Sequence, residues 1–173
     1  MLSIMSIKLF CNAFLRGLVG DSLLSTRKRQ NYNLHEDYSD PCQRLFNAIH
    51  IDSYIPPHRH SLDPKSECLI AVRGLFALLI FDVEGRILSV TQFGSEVYCG
   101  SDDDCGVGVD IPPNVWHTVL ALSTSAILFE VKRGPFNPLS SKELAPWAPL
   151  EDSPHALEYL QVLKNEANLW RTK

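Results

Sequence analysis

Apolar residues change their spacing twice along this chain. Near the N-terminus Ile7, Phe10, Phe14 and Leu18 recur at helical intervals. That period predicts an amphipathic helix packed on the main body. From Gln43 onward short apolar runs follow one another: RLFNAIHI, ECLIAVR, LFALLIFD, RILSVTQF, GVGVDI, WHTVLAL and AILFEVK. They are rich in Val, Ile, Leu and Phe, and turn residues separate them, which reads as strands. Arg73-Gly74 and Asp82-Val83-Glu84-Gly85 read as hairpin turns. No gap between runs holds a crossover helix, so a parallel sheet is not expected. The pattern predicts a mainly β fold, a sandwich or barrel of antiparallel strands. At NPLSSKELAPWAPLEDSP the strands stop, and this Pro-rich segment is expected to wrap the outside. Ser153-Pro154 reads as an N-cap with Pro in the first turn. Leu157, Leu160 and Leu163 then predict a terminal helix over 154–168. The expected organisation is a helical extension over 1–30, a β-barrel over 31–135, and a wrap plus helix over 136–173.

Composition narrows the function. The chain has 173 residues and a formal net charge of -4, with no dominant basic patch, so nucleic acid is not an expected partner. No apolar segment reaches the roughly 18 to 20 residues of a membrane span, and Lys8 and Arg16 break the pattern of a signal peptide. The run Ser101-Asp102-Asp103-Asp104 lacks the alternating carboxylates of a calcium loop and reads as a solvated turn. Five cysteines, Cys11, Cys42, Cys68, Cys99 and Cys105, form no CxxC. An odd count without that motif predicts reduced thiols and a cytoplasmic protein. Cys99 and Cys105 are close enough to pair if oxidised, but are expected as free thiols.

The chemistry gathers in two segments. In a strand, residues i and i+2 share a face, so His58 and His60 can reach one metal ion together. The segment SLDPKS suits a loop that returns Glu67 towards them. In GVGVDIPPNVWHTVLAL, a turn at Pro112-Pro113 leads into a strand carrying His117. His58, His60, Glu67 and His117 make a three-nitrogen, one-oxygen set for one divalent transition metal: Fe, Mn, Ni, Cu or Zn. A metal that prefers six ligands keeps two positions for substrate or water.

These segments resemble the two motifs of the cupins. The first reads His58-Arg59-His60, Glu67, then Gly74 after six residues. The gap of six before Glu67 is longer than the usual cupin gap. The second reads Gly106, Pro112 and His117, with Asn114 where Gly is usual and Ala121 where Asn is usual. Asn also tolerates positive φ in a turn. Ala121 is therefore not a site residue. The blocks RKRQNYNLH, DPCQRLFNAI, SYIPPHRH, LIFDVEGRI, VDIPPNVWHTVLAL, LFEVKRGPFNP and LAPWAPLE together resemble the WbuC family of cupin-fold metalloproteins. In that family the longer gap before the Glu is familiar. The resemblance implies a single cupin-type antiparallel β-barrel (jelly roll) holding one metal. It also implies an association with bacterial surface-polysaccharide biosynthesis, and homodimers are common among cupins.

Other polar residues are candidates for a catalytic role. Arg44, with Gln43 and Asn47, lies on a strand expected to line the barrel. Its fork could hold a carboxylate or phosphate, or simply reach water. Glu130 and Lys132 alternate on the last strand and are expected either to bind substrate or to pair with each other. Asn31, Tyr32 and Asn33 are expected as a lid, Trp116 as core, and Trp147 as a pin for the tail. Two functions stay open. One is a metal-dependent enzyme acting on a small polar molecule, a sugar or sugar-derived acid, as an isomerase, hydrolase, lyase or dioxygenase. The other is a non-catalytic binding or sensing module stabilised by its metal. A metal-free sugar-nucleotide isomerase needs a His–carboxylate dyad, and an intact four-ligand set argues against it.

Overall fold

A computed structural model describes residues 7–99 and 105–170. The elements in chain order are α1 (Asn12–Leu24), β1 (Arg29–Asn33), β2 (Cys42–Ile49), β3 (His58–Arg59), β4 (Glu67–Arg73), β5 (Leu75–Phe81) and β6 (Ile87–Gly94). They continue as α2 (Glu96–Cys99), β7 (Gly108–Ile111), β8 (Trp116–Ala121), β9 (Ala126–Arg133), β10 (Glu143–Leu144) and α3 (Ala156–Trp170). Two five-stranded sheets form, in the orders β1-β2-β9-β4-β7 and β10-β3-β8-β5-β6. Every pairing between named strands is antiparallel. All seven apolar runs of the sequence become strands. The sheets form a sandwich; closure into a barrel is not part of what the pairings establish.

Period-two alternation sorts the side chains into three layers. Inward-facing Ile49, Leu69, Phe76, Leu78, Val119, Ala126 and Leu128 make one core between the sheets. The outer face of the first sheet, through Phe46, Ala48 and Ile127, packs under α1 by way of Leu15 and Leu18. The outer face of the second, through Ala77, Leu79, Phe81 and Leu120, packs under α3. Both faces of each sheet are thus covered in part, which explains why β5 and β8 are nearly all apolar.

Some expectations shift. The helix α1 starts at Asn12, so Ile7 and Phe10 precede it. Phe10 still packs against Phe14 and Phe46 as an extended lead-in, while Ile7 is exposed. The helix α3 buries Ala156, Leu160, Leu163 and Ala167, and leaves Leu157 67% exposed. Helical phase decides this: 160, 163 and 167 share a stripe and 157 sits beside it. Ser153 caps from just outside, with the His155 amide donating to its Oγ at 3.2 Å. Asn31 to Asn33 form part of a paired strand rather than a free lid. The Pro-rich segment contributes the edge strand β10, and Trp147 packs against Phe81 at 5.0 Å and closely over Gly85. Gly74 and Gly85 turn their hairpins at φ 84 and φ 85.

Cys99 and Cys105 are joined as a disulfide, whereas Cys11, Cys42 and Cys68 are free. The expectation of five reduced thiols therefore fails for this pair. The Gly94 amide donates to the Gly106 carbonyl, which folds the β6–β7 connection back and sets the two Cα atoms 5.4 Å apart. The acidic run at 101–104 lies outside the described residues. Among the described residues no helix is long and apolar enough to cross a membrane.

Candidate metal centre and cavity

The inward faces of the two sheets are not uniform from end to end. Along β9 they read Ala126, Leu128, Glu130, Lys132, and along β4 Glu67, Leu69, Ala71. Along β8 they read His117, Val119, Ala121. One end is the apolar core and the other is a polar cavity of about 320 Å³. The switch from apolar to polar within each strand builds the site.

His58, His60, Glu67 and His117 are all buried, and their ligand atoms lie within 4.8 Å of one another. His58 on β3 pairs directly with His117 on β8. Glu67 opens β4 in the opposite sheet, opposite Lys132 on β9. Asn114, at φ 67, turns the chain into β8, and its amide donates to the His60 carbonyl.

Each imidazole is oriented by a backbone carbonyl. Nδ1 of His58 meets the Pro56 carbonyl at 2.9 Å, that of His60 the Ser141 carbonyl at 2.5 Å, and that of His117 the Val115 carbonyl at 2.8 Å. A carbonyl only accepts, so each Nδ1 is the protonated nitrogen and each Nε2 keeps its lone pair. The Nε2 atoms of His60 and His117 lie 3.4 and 3.6 Å from Glu67 Oε2. His117 Nε2 is buried without a hydrogen-bond partner. An orphaned buried lone pair among two further imidazoles and a carboxylate fits a divalent transition metal.

The charges agree. Burial, then the neighbouring His117 and Lys142, holds His58 well below the usual imidazole range, so it is neutral. Burial alone raises the pKa of Glu67, but the Lys132 charge leads the effects that outweigh it and keep the carboxylate ionised. Lys132 donates to Glu67 Oε1 at 2.8 Å and lies 3.1 Å from Glu130 Oε1. Burial and the Glu67 charge push Glu130 up to about 8, against the opposing pull of Lys132. Burial lowers Lys132, but Glu130 and Glu67 more than offset this and raise it.

The remaining candidates separate cleanly. Glu130 and Lys132 face the cavity and form the ion pair that the alternation expected. On β2 the lining residues are Gln43, Leu45, Asn47 and Ile49. Arg44 falls between them and points to the other face, 3.7 Å from Asp40. It therefore cannot present its fork to a molecule in the cavity. Trp116 is buried as expected, with the Arg59 guanidinium 4.4 Å over its ring. Asn31 and Asn33 line the cavity, whereas Tyr32 turns outward against Phe10 and Phe14. Sequence reasoning passed over Arg27, Arg29, His35, Ser141 and Lys142, which also line it. Arg27, Arg29 and His35 continue the period-two alternation of Asn31 and Asn33 along and beyond β1, whereas Ser141 and Lys142 reach the opening only through folding.

Comparison with known proteins agrees with this fold. Residues 10–93 match the model of a family described as a domain of unknown function, DUF6016. The search of curated proteins returns no match. Protein SO0799 from Shewanella oneidensis superposes with a TM-score of 0.53 at 10% identity, covering 87% of this chain and 94% of that one. The capsular polysaccharide assembling protein CapF from Staphylococcus aureus gives 0.52 at 17% identity, covering 69% of this chain and 32% of that one. This chain therefore spans about a third of CapF. Oxalate decarboxylase from Bacillus subtilis gives 0.48 at 18% identity, covering 67% and 27%. Identities this low speak to the fold alone, a sandwich of two antiparallel sheets.

Proposed function

We propose that this chain is a metal-binding cupin-fold protein that takes a small polar molecule, sugar-like or acidic, in the cavity beside its metal. The observation that carries this reading is the convergence of three carbonyl-oriented imidazoles and one lysine-held carboxylate on the cavity wall. Bound by His58, His60, Glu67 and His117, a divalent metal supplies a Lewis acid to an oxygen of the bound molecule. The protein does the rest. Its backbone carbonyls keep the imidazole protons on Nδ1, and Lys132 keeps Glu67 ionised at Oε1. Leu45, Leu69, Val119 and Leu128 exclude water from one side of the cavity. Glu130 is the wall residue placed to exchange a proton with a bound molecule, and Lys132 is committed to the two carboxylates.

The ordered sequence blocks support a WbuC-like protein. A role near bacterial surface-polysaccharide biosynthesis belongs to the same proposal, and the printed name of the fold neighbour CapF, a capsular polysaccharide assembling protein, supports it. A homodimer is the expected assembly, and light scattering of the purified protein tests it. A second reading is a non-catalytic module in which the metal stabilises the sandwich. It is favoured by one observation: the ligands come from both sheets, Glu67 from the first and His58 and His117 from the second.

Elemental analysis of protein purified without added metal tests the shared core of both readings. The native chain is expected to hold stoichiometric transition metal and Glu67→Ala to lose most of it. Metal-free native protein, or a variant with unchanged metal content, refutes both. Turnover with any sugar or sugar acid then separates the enzyme from the module.

A further inference from the structure

Among the described residues, several polar groups around the cavity lack partners, and three of them bear on what it binds. His117 Nε2 is the first and is accounted for by the metal. The second is Asn47 Oδ1, which is buried without a hydrogen bond on a residue that lines the cavity. The third is Lys142. Neither a hydrogen bond nor an ion pair holds its ammonium among the described residues. Every other cavity cation except Arg27 is engaged. Arg29 pairs with Glu151 at 2.5 Å, and Lys132 with Glu67 and Glu130.

Lys142 stands at the mouth, partly in water, between Ser141 and Glu143. Both neighbours are fastened. The Ser141 carbonyl holds the His60 ring, and Glu143 receives a two-point contact from Arg59 at 2.8 and 3.0 Å. The backbone beneath Lys142 is therefore tied to the metal centre, and only its side chain is free to meet a ligand. Loss of surrounding water and then Arg29 lower the pKa of Lys142, against the opposing pull of Glu151 and Glu67.

Charge bookkeeping points the same way. The cavity wall carries Arg27, Arg29, Lys132 and Lys142 against Glu67 and Glu130. A divalent metal adds to that positive excess. With Arg29 offset by Glu151, the excess still favours a molecule that brings negative charge, and Asn47 Oδ1 favours one that donates a hydrogen bond. A neutral sugar satisfies only the second demand, and a simple carboxylate only the first.

We infer that the cavity takes a small hydroxylated carboxylic acid, with Lys142 as its carboxylate-binding residue and Asn47 Oδ1 accepting from one of its hydroxyls. This rests on the metal-binding reading above and narrows its substrate class. Arg27 at the same opening supplies long-range attraction, and Arg44, one of the sequence's candidates for this role, has none in it.

The test uses two probes that differ at one carbon: D-gluconate, and the neutral polyol D-glucitol. Isothermal titration of the metal-containing protein as purified is expected to show gluconate binding at least about tenfold tighter than glucitol. Lys142→Met is expected to remove that preference, and Lys142→Arg to restore most of it. Asn47→Ala is expected to weaken both probes alike. Metal content, measured on each sample before and after titration, is expected to stay at the native level. Equal binding of the two probes, no binding of either, or an unchanged gluconate affinity in Lys142→Met overturns the inference. If the purified chain lacks metal, the metal-binding reading fails instead. The metal assay therefore tells the two failures apart.

Discussion

Lys132 is held between two carboxylates in a nearly closed site, so it contributes far more than a surface lysine. Lys132→Met leaves Glu67 facing Glu130 without a counter-charge. The expected loss is about 3–5 kcal/mol in a denaturant titration of metal-free protein. The paired variant Lys132→Met with Glu130→Gln should recover part of it, because one of the facing acids is gone. An unchanged midpoint in the single variant would show that the site tolerates open charge. Gly85 is a second residue with a defined cost. At φ 85 any Cβ is strained, and here it would meet the Trp147 ring at 2.6 Å. Gly85→Ala is expected to destabilise by about 1–3 kcal/mol and to alter Trp fluorescence, since Trp147 has to leave its place beside Phe81.

At the scale of elements, α3 offers a contrast within one helix. Leu160 is buried against the second sheet and Leu157 is exposed. Leu160→Ala should cost about 2–5 kcal/mol, whereas Leu157→Ala should stay within about 0.5 kcal/mol. Thermal unfolding of the two variants side by side checks the phase of the helix. The sequence predicts the helix and most of its length, but it counts Leu157, Leu160 and Leu163 as one stripe. The sheet beneath settles which of them is buried. The same distinction applies to β2. Alternation says that Gln43 and Asn47 face one way and Arg44 the other, without saying which face is the cavity. The packing of Phe46 and Ala48 under α1 decides it, and turns Arg44 away.

For the whole molecule, the four residues proposed to hold a metal come from both sheets, so a bound metal would couple to the fold. Stripping the metal with a chelator is expected to lower the melting temperature by about 5–10 °C, if free metal normally stands near 100 times its Kd. Glu67→Ala should melt near the stripped native protein and respond little to added metal. A melting temperature that ignores the chelator would reduce the centre to a cluster without a structural role.

The sequence by itself determined that His58, His60, Glu67 and His117 come together, and most of the strands that carry them. His58, His60, Glu67 and His117 are legible because strand alternation and turn residues are local, and each ligand sits at a fixed offset from a turn. The apolar runs predict seven strands for the same reason. Tertiary structure alone decided the cavity's other wall. Arg27 and Asn31 alternate along β1 and its lead-in, Asn47 lies on β2 and Lys142 just before β10, and these three segments meet around one cavity only when the sheets stack. The Cys99–Cys105 link was likewise invisible to a count of thiols. It depends on the β6–β7 connection folding back on itself, which is a matter of distance in space rather than along the chain.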